Sequence, residues 1–385
     1  MIYVGAAISR SRRMNPKKCR ARALPLPEMN HLAQKAARAE PCPTRSKKGA
    51  INMKKERVQA AISHIQPDIT PYNIELCSTL ADAVCKQCGI PKAELYHWLG
   101  NHIEKISYNR GTLEGDIYTD EFGVQWDRSG ADKDIGIIHN YLLTEPSMGG
   151  YALPEPDLAF VRQSTEKAVE NNADTFKFGK IGTALFERAW SLRGFENFLM
   201  DLACEDEFVA ELLDKITDFQ LSILDTALEY DIDGIYLGDD FGTQNGLLMS
   251  PDTWRRHFKP RFAQIFDRTK RAGKIAALHS CGDITLILDD LIEIGLDIYQ
   301  TVQPEIYDLA YIKKRYGNNL TFWGGISTQQ TLPFVEPAEL KQIVRDTVAV
   351  MGKGGGYIAA PTHQVPFDVP IENIIAMAEA LRGQV

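Results

Sequence analysis

The sequence has no uninterrupted apolar run close to the roughly 20 residues that a membrane-spanning helix needs. It also lacks an overall excess of positive charge, because 43 lysines and arginines stand against 51 aspartates and glutamates, a net charge of −8. A protein that binds nucleic acid or a membrane surface through its overall charge is therefore not expected. The 385 residues, 44% of them hydrophobic, are enough for one large domain or two smaller ones.

Cysteine is scarce and odd in number, and the N-terminus shows no secretory signal. The seven cysteines are Cys19, Cys42, Cys77, Cys85, Cys88, Cys204 and Cys281. Reduced thiols in a cytoplasmic protein are the natural expectation. Cys85 and Cys88 have the CxxC spacing of a redox or metal pair, but the helical apolar spacing of "LADAVCKQCG" favours thiols on a helix.

The first 52 residues differ from the rest of the chain. They contain 12 lysines and arginines but only two acids, Glu28 and Glu40, and they show no apolar period. We predict a disordered leader over 1–52 and a folded domain over 53–385. The leader could be a transit peptide, a nucleic-acid tail or translated upstream sequence; the pattern of a folded domain begins at once after Met53, which favours the last.

Apolar, β-branched runs alternate with amphipathic segments in the second half of the chain. The runs are 233–240, 274–283, 296–303, 320–327 and 355–363, and an earlier one is 175–182. This alternation is typical of βαβ units around a parallel sheet. Ser250 followed by Pro251 indicates a helix start. Gly273, Gly295, Gly317 and Gly352 each follow a predicted helix, where a left-handed cap favours glycine.

Five consecutive strand–helix repeats without an early glycine-rich phosphate turn favour a (β/α)₈ TIM barrel over a doubly wound sheet. "GKGGGYI" at 352–358 is a weak phosphate-loop candidate, because it enters a strand instead of opening a helix. In the first half, 68–76 fits a first strand, followed by extra helices. The Gly- and Asp-punctuated stretch 112–145 indicates an antiparallel excursion, and 183–230 is helical in pattern.

The sharpest chemical feature is "LHSCGD" at 278–283. His279 and Cys281 are two positions apart, so on a strand both point to one face, at the carboxyl end where barrel enzymes collect catalytic groups. Imidazole plus thiolate is a ligand set that zinc favours. His363, after another predicted strand, would supply a third ligand. The alternative for His279 and Cys281 is a buried histidine that donates to a backbone carbonyl beside an inert core cysteine, and the alternative for His363 is a loop histidine bonded to nearby backbone.

Other polar residues also follow predicted strands. Asp239 and Asp240 end the strand 233–240, where one could act as a general base or substrate anchor and the other could cap a turn. Gln303 and Glu305 could contact a substrate, and Trp323 could provide an apolar wall.

Several long motifs together resemble the uroporphyrinogen decarboxylase-like superfamily. They are "GDDFGTQNGLLMSPDTWRRHFKPRF", "HSCGD", "VQPE", "FWGGISTQQTLPF" and "GGGYIAAPTHQVPFDVPIENIIAM". The resemblance implies a TIM barrel. It also implies one of two activities: decarboxylation in haem biosynthesis, or methyl transfer between a corrinoid protein and a thiol or methylated substrate. In the methyltransferase branch the zinc site resembles His-x-Cys plus a later cysteine; this chain has His279, Cys281 and then His363.

The decarboxylases of this superfamily carry an early arginine-rich signature, which suits a substrate with eight carboxylates because arginine binds carboxylates bidentately. This signature is not found over 53–110, where the first-strand region instead contains Asn73 and Glu75 as candidate substrate contacts. We therefore predict a zinc-assisted, corrinoid-linked methyltransferase acting on a small methylated substrate. The rivals are a uroporphyrinogen decarboxylase and a non-catalytic barrel that binds a ligand or corrinoid partner. The sequence leaves the oligomeric state open, a homodimer included.

Overall fold

The computed structural model describes residues 53–384, apart from 131, 132, 135, 172, 173 and 205. The leader predicted for 1–52 lies outside the described residues. Within the described part of the chain, no helix is both long and apolar enough to cross a membrane.

The centre of the fold is a seven-stranded sheet in which every neighbouring pair of strands is parallel. In sheet order its strands are β1 (Ile103–Ser107), β6 (Phe176–Ile181), β7 (Gly234–Gly238), β10 (Ile275–His279), β11 (Ile298–Val302), β12 (Thr321–Ile326) and β13 (Tyr357–Pro361). Each repeat predicted in the second half of the chain contains one of these strands. The sheet order follows the chain order, as successive βα units require.

The segment before β1 connects the two ends of this sheet. Tyr72 forms a parallel bridge with Ala359 of β13, and Leu76 forms another with Val365. On the other side, the His102 N–H donates to the carbonyl of Tyr72, next to the start of β1. The predicted first strand is therefore present as two isolated bridges, and the sheet curls in a way consistent with a TIM-like barrel.

Helices alternate with these strands and pack outside the sheet. They are α1 (Lys54–Ile62), α2 (Ser78–Cys88), α3 (Leu95–Leu99), α4 (Leu158–Glu170), α5 (Phe186–Arg193), α6 (Phe195–Cys204), α7 (Asp206–Ala227), α8 (Pro251–His257), α9 (Lys259–Arg271), α10 (Thr285–Glu293), α11 (Leu309–Tyr316), α12 (Pro337–Met351) and α13 (Ile371–Arg382), with a 3₁₀ turn at Lys92–Glu94. The helical stretch predicted over 183–230 is thus described as three helices, and Gly194 separates α5 from α6.

The predicted antiparallel excursion is confirmed. Between β1 and α4, a four-stranded antiparallel sheet is formed by β2 (Gly111–Glu114), β3 (Ile117–Asp120), β4 (Gln125–Asp127) and β5 (Ile137–Ile138). A shorter hairpin, β8 (Gly242–Thr243) with β9 (Gly246–Leu247), follows β7. Both excursions leave from the carboxyl ends of central strands.

The two faces of the central strands bury different sets of side chains, as strand alternation requires. Ile235 and Leu237 of β7 pack outward against the helices, whereas Tyr236 between them faces the interior of the curled sheet. There Trp323 stacks on Phe178 at a centroid distance of 6.0 Å and meets the Tyr236 ring edge-on at 5.5 Å. The interior is therefore a packed aromatic layer and not an open pore.

Helix α1 closes the amino end of the strands. Its Val58 belongs to the interior cluster, and Gly356, just before β13, donates its N–H to the carbonyl of Ala61. Two further N–H groups of the glycine-rich stretch are also bonded within the chain, that of Gly354 to the Gln66 side chain and that of Gly355 to the carbonyl of Gly352. The segment 352–358 is thus a turn between α12 and β13, and its bonded N–H groups do not form a phosphate loop.

The predicted helix start at Ser250 is confirmed, since its side chain accepts a hydrogen bond from the Thr253 N–H at 3.0 Å. The expectation of left-handed caps holds at Gly273 and Gly295 but is wrong at Gly317 and Gly352, whose φ values are −66° and −77°. At these two positions the need for glycine is steric. A Cβ atom on Gly317 would lie 2.3 Å from the Lys313 carbonyl oxygen.

Candidate metal centre

Two of the three predicted metal ligands stand at the end of β10. His279 is the last residue of the strand, and Cys281 lies in the loop that follows. The Cys281 N–H donates to Asp240 Oδ1 at 2.8 Å, which fixes the loop against the end of β7. The two side chains meet, with Cys281 Sγ 3.4 Å from His279 Nε2. The same-face placement expected from their spacing is therefore observed.

The loop that carries Cys281 is held rigidly by buried tyrosines. Tyr299 donates its hydroxyl to the carbonyl of Ser280 at 3.0 Å, and Tyr307 donates to the carbonyl of Gly282 at 2.9 Å. On the other side of the loop, Gln303 Oε1 accepts the N–H of Gly282 at 2.8 Å. A loop with so many bonded backbone groups presents its thiol in one position, as a preorganised site needs.

The third predicted ligand comes from the other side of the sheet interior. His363 follows β13, and its ring centroid lies 5.7 Å from that of His279. One ligand atom each from His279, Cys281 and His363 can be chosen so that all three lie within 4.8 Å of one another. Among the described residues, this is the group of three or more potential ligands that comes together in this way.

Burial and charge set the protonation of these groups. Burial lowers the pKa of His363 to about 4, so its imidazole is neutral at neutral pH and keeps a lone pair for a metal. Burial, with the negative charge of Asp240 beside it, raises the pKa of the Cys281 thiol well above its usual value. At neutral pH this thiol is therefore protonated, and a bound cation would stabilise its thiolate form.

The two aspartates at the end of β7 have different surroundings. Both oxygens of Asp239 are engaged by backbone N–H groups at the start of α5, those of Leu185, Phe186 and Glu187, at 3.0, 2.9 and 2.7 Å. Asp239 is fully buried, and burial raises its pKa to about 7 against the effect of these hydrogen bonds. Asp239 therefore holds the start of a helix, which is the capping role predicted for one of the two aspartates.

Asp240 faces the metal ligands. Its Oδ1 lies 3.3 Å from His279 Nε2 and accepts the Cys281 N–H. Although burial opposes ionisation, the hydrogen bond and charge of His279 hold the pKa of Asp240 well below its usual range. A permanent carboxylate beside three potential ligands makes the site attractive to a cation.

The second ring nitrogen of His279 is also engaged. Its Nδ1 contacts Oε1 of Gln300 on β11, and the same oxygen accepts the Tyr236 hydroxyl at 2.8 Å. Neither Gln300 nor Tyr236 was among the residues predicted from sequence. A polar residue in the middle of an apolar strand was the signal that could have identified Gln300.

A second polar group lies below the ligands. Glu75 forms an ion pair with Lys105 of β1 at 2.7 Å and accepts the side-chain amide of Asn73 at 3.1 Å. Burial opposes ionisation of Glu75, but the charges of Lys105 and Lys180 lower its pKa. The Lys105 ammonium lies 4.5 Å from the centroid of the Tyr236 ring. The predicted contacts Asn73 and Glu75 therefore reach the same interior as the ligands, together with a lysine that the sequence argument missed.

The other predicted substrate contacts, Glu305, Gln303 and Trp323, differ in how far other groups of the protein already engage them. Glu305 accepts the Ser327 hydroxyl through Oε1, while its Oε2 is buried without a partner. Gln303 is engaged by the loop backbone, and Trp323 is 1% exposed in the aromatic layer. Glu305 thus has an oxygen available at the strand ends, whereas Gln303 and Trp323 are held by the protein itself.

Glu187 at the start of α5 is a further carboxyl group near the site. Burial, followed by the charge of Asp240, raises its pKa well above the usual value.

A separate cavity of about 280 Å³ lies beside the antiparallel sheet, α4 and α7. Acids in its wall are bonded within the chain, since Asp120 pairs with Arg188 at 2.6 Å and Glu121 accepts the Arg110 N–H at 2.9 Å. That cavity is distinct from the ligand cluster.

Known proteins resemble this chain in sequence and in fold. Two curated relatives are methylcobamide:CoM methyltransferases MtaA from Methanosarcina barkeri, 28% and 25% identical over 170 residues, which is 44% of this chain and 47% of each relative. The chain therefore spans about half the length of the curated relatives it matches. Among solved structures, a methyltransferase from Methanosarcina mazei matches with a TM-score of 0.67 and 19% identity, covering 86% of this chain and 98% of that one.

The solved structure shares the fold of this chain, and at 19% identity the match supports the fold alone. The family model is more decisive, because it matches residues 130–384, more than half of the chain, including every predicted metal ligand. On this match, the chain belongs to the uroporphyrinogen decarboxylase (URO-D) family.

Proposed function

We propose that this chain is a zinc-assisted methyltransferase that moves a methyl group between a corrinoid carried by a partner protein and a small substrate. The observation that carries the proposal is the convergence of His279, Cys281 and His363, whose ligand atoms lie within 4.8 Å of one another. The curated relatives support the reaction class, since both are named as methylcobamide:CoM methyltransferases.

The spacing of these side chains fits zinc. Zn–N and Zn–S bonds of about 2.1 and 2.3 Å at tetrahedral angles place nitrogen and sulfur ligands about 3.4–3.6 Å apart. Cys281 Sγ and His279 Nε2 are 3.4 Å apart. A nitrogen–nitrogen–sulfur set with three protein ligands leaves one coordination position for a substrate, as catalytic zinc sites do. His363 in place of the cysteine expected from the resemblance keeps the number of ligands and changes one donor from sulfur to nitrogen.

When bound, zinc supplies Lewis acidity that lowers the pKa of a coordinating thiol or polarises a donor oxygen. The residues of the chain prepare the site for this. Asp240 holds the loop of Cys281 through the backbone, and its carboxylate would orient an incoming substrate by accepting a hydrogen bond. Asp239 holds the start of α5 in place and acts by positioning.

We propose that the substrate is bound by polar residues that lie near the metal ligands. Asn73, Glu75 and Lys105 would contact the part of the substrate that points into the sheet, and Glu305 would offer its unpartnered oxygen to a hydrogen-bond donor. We further propose that the segment 72–76 completes an eight-membered (β/α)₈ barrel around this pocket, because it is bonded to both β13 and the start of β1.

The porphyrinogen decarboxylase alternative is less favoured by the described arginines. Three buried ones are committed to carboxylates of the chain: Arg188 to Asp120, Arg193 to Asp201, and Arg261 to Asp214. An octa-acid substrate requires guanidinium groups that are free to bind it. A non-catalytic binding barrel would have no need for a neutral imidazole and a thiol at metal-ligand spacing.

The test is metal analysis combined with a methyl-transfer assay. The purified full chain should contain about one zinc per chain by elemental analysis. With methylcobalamin as donor and coenzyme M as acceptor, it should accelerate loss of the methylcobalamin absorbance. Cob(I)alamin with methanol, a methoxylated aromatic or a methylamine tests the opposite direction of transfer.

The matched variants are His279→Ala and His139→Ala. His139 lies outside the ligand cluster, so His139→Ala should keep both zinc and activity, whereas His279→Ala should lose both. Absence of zinc from the purified chain, or full activity of His279→Ala, would refute the proposal. Turnover of uroporphyrinogen in place of methyl transfer would favour the decarboxylase.

A further inference from the structure

Gln300 lies directly beside His279 in the sheet. β10 and β11 are parallel neighbours, and their register pairs His279 with Gln300. Gln300 is 6% exposed, so its side-chain amide must find its partners within the protein. Those partners are the Tyr236 hydroxyl, 2.8 Å from Oε1, and the Nδ1 atom of His279.

The identity of the shared atom decides the tautomer of His279. An amide oxygen is an acceptor only, so each group that bonds to it must donate a proton. Tyr236 donates its hydroxyl to Oε1, which orients the oxygen, and not the amide nitrogen, towards the histidine. His279 must then carry a proton on Nδ1. Its other nitrogen, Nε2, lies 3.4 Å from Cys281 Sγ and 3.3 Å from Asp240 Oδ1, so a proton bound there in the metal-free chain bonds to Asp240 and is displaced when a metal takes that position.

We propose that Gln300, oriented by Tyr236, is a positioning residue that holds His279 in its Nδ1–H tautomer and thereby presents Nε2 to the metal. Outer-shell acceptors of this kind orient metal-bound histidines, and their loss typically weakens metal binding by about 10–100-fold. The inference about metal affinity rests on the proposed function, whereas the proton on Nδ1 is a property of the metal-free chain.

The first experiment measures the tautomer. The full chain, labelled with ¹⁵N-histidine, is examined without metal and with zinc by NMR correlation of ring nitrogens with ring protons. The His279 resonances are assigned by their disappearance in His279→Gln. Nδ1 of His279 should be protonated in both states, and zinc should shift Nε2. A bare Nδ1 in the metal-free chain would overturn the proposal, even if zinc binds.

The second experiment compares zinc affinities by competition with a chelating dye. Gln300→Met removes the acceptor and keeps the length of the side chain, so we expect affinity to fall 10–100-fold and His279 to lose its single tautomer. Gln300→Glu restores an oxygen acceptor and should recover both. Tyr236→Phe removes the group that orients the amide and should give a smaller loss.

The matched control is Gln220→Met. Gln220 is another buried glutamine, on α7, and it donates to the carbonyl of Ala184. This control should lower the midpoint of thermal unfolding without changing zinc affinity or the His279 resonances. Wild-type affinity and an unchanged tautomer in Gln300→Met would overturn the positioning role. Failure of the wild-type chain to bind zinc would instead count against the proposed function and leave the tautomer test standing.

Discussion

The two ends of the central strands both bury histidines, but only one end gathers them into a site. At the amino end, His102 is 2% exposed, and its ring packs against Tyr72 with a centroid distance of 4.6 Å. Its Nδ1 lies 3.5 Å from the Tyr72 N–H, while Nε2 has no partner. At the carboxyl end, His279 and His363 face each other and a thiol.

Burial has the same electrostatic effect in both places. It lowers the pKa of His102 to about 3 and that of His363 to about 4. The difference lies in what the ring nitrogens meet. At the amino end His102 meets one backbone N–H and the ring of Tyr72, whereas at the carboxyl end two imidazoles and a thiol come together. A buried, neutral histidine therefore belongs to a candidate metal site only where other potential ligands lie close to it.

The largest effect should come from removing the thiol of the convergent end. Cys281→Ala deletes one of the three proposed ligands, so we expect zinc affinity to fall by more than the roughly 100-fold that an outer-shell change costs. Dye competition on the purified chain measures this. Cys88→Ala, which removes a half-buried thiol on α2, should bind zinc like the unchanged chain. Equal affinities for the two variants would show that the thiol is not a ligand.

The next effect concerns stability instead of metal. Trp323 fills the aromatic layer beneath the ligands, so Trp323→Ala should lower the free energy of unfolding by about 3–5 kcal/mol through lost burial and a cavity. Urea unfolding measures this change. Phe334 is 72% exposed, and Phe334→Ala should change stability by less than about 0.5 kcal/mol. A small loss in Trp323→Ala would mean that the interior beneath the site is an open pocket.

A third prediction separates the adjacent aspartates. Asp239→Ala leaves three backbone N–H groups of α5 without their acceptor, which should cost about 1–3 kcal/mol of stability. Asp240→Asn keeps an oxygen for the Cys281 N–H but removes the charge. It should therefore leave urea unfolding nearly unchanged and reduce methyl transfer. The reverse outcome, a stable and inactive Asp239→Ala, would move the chemistry to Asp239.

The sequence predicted the repeating strands and helices because each central strand is an apolar run between amphipathic segments. It also predicted the meeting of His279 and Cys281, since two residues separated by one position share a face of a strand. His363 could be added because the carboxyl ends of all parallel strands lie at one edge. These inferences need only local periodicity and the direction of the chain.

Other parts of the site depend on information that local patterns do not contain. Gln300 reaches His279 through the register of two strands, and Lys105 of β1 reaches Glu75 in the segment that precedes this strand. The different surroundings of Asp239 and Asp240 follow from the position of α5, a helix from a different repeat. Long-range pairing of this kind had to be observed. The same is true of His102, which no motif distinguishes from a ligand.

The smallest predicted effect tests the structural histidine through pH. The ordinary pKa of histidine is 6.5, and burial lowers that of His102 to about 3. Between these values the unfolded chain binds one more proton than the folded chain, so acidification through this window lowers the free energy of unfolding. The contribution is up to about 1.4 kcal/mol per pH unit.

His102→Gln should therefore show a shallower slope of stability against pH, while His97→Gln, on an exposed position, should keep the original slope. Urea unfolding of the metal-free chains between pH 4 and 7 gives all three slopes. Parallel slopes for the unchanged chain and His102→Gln would mean that His102 takes up its proton in the folded state, and the contrast between the two ends would then not rest on shared burial.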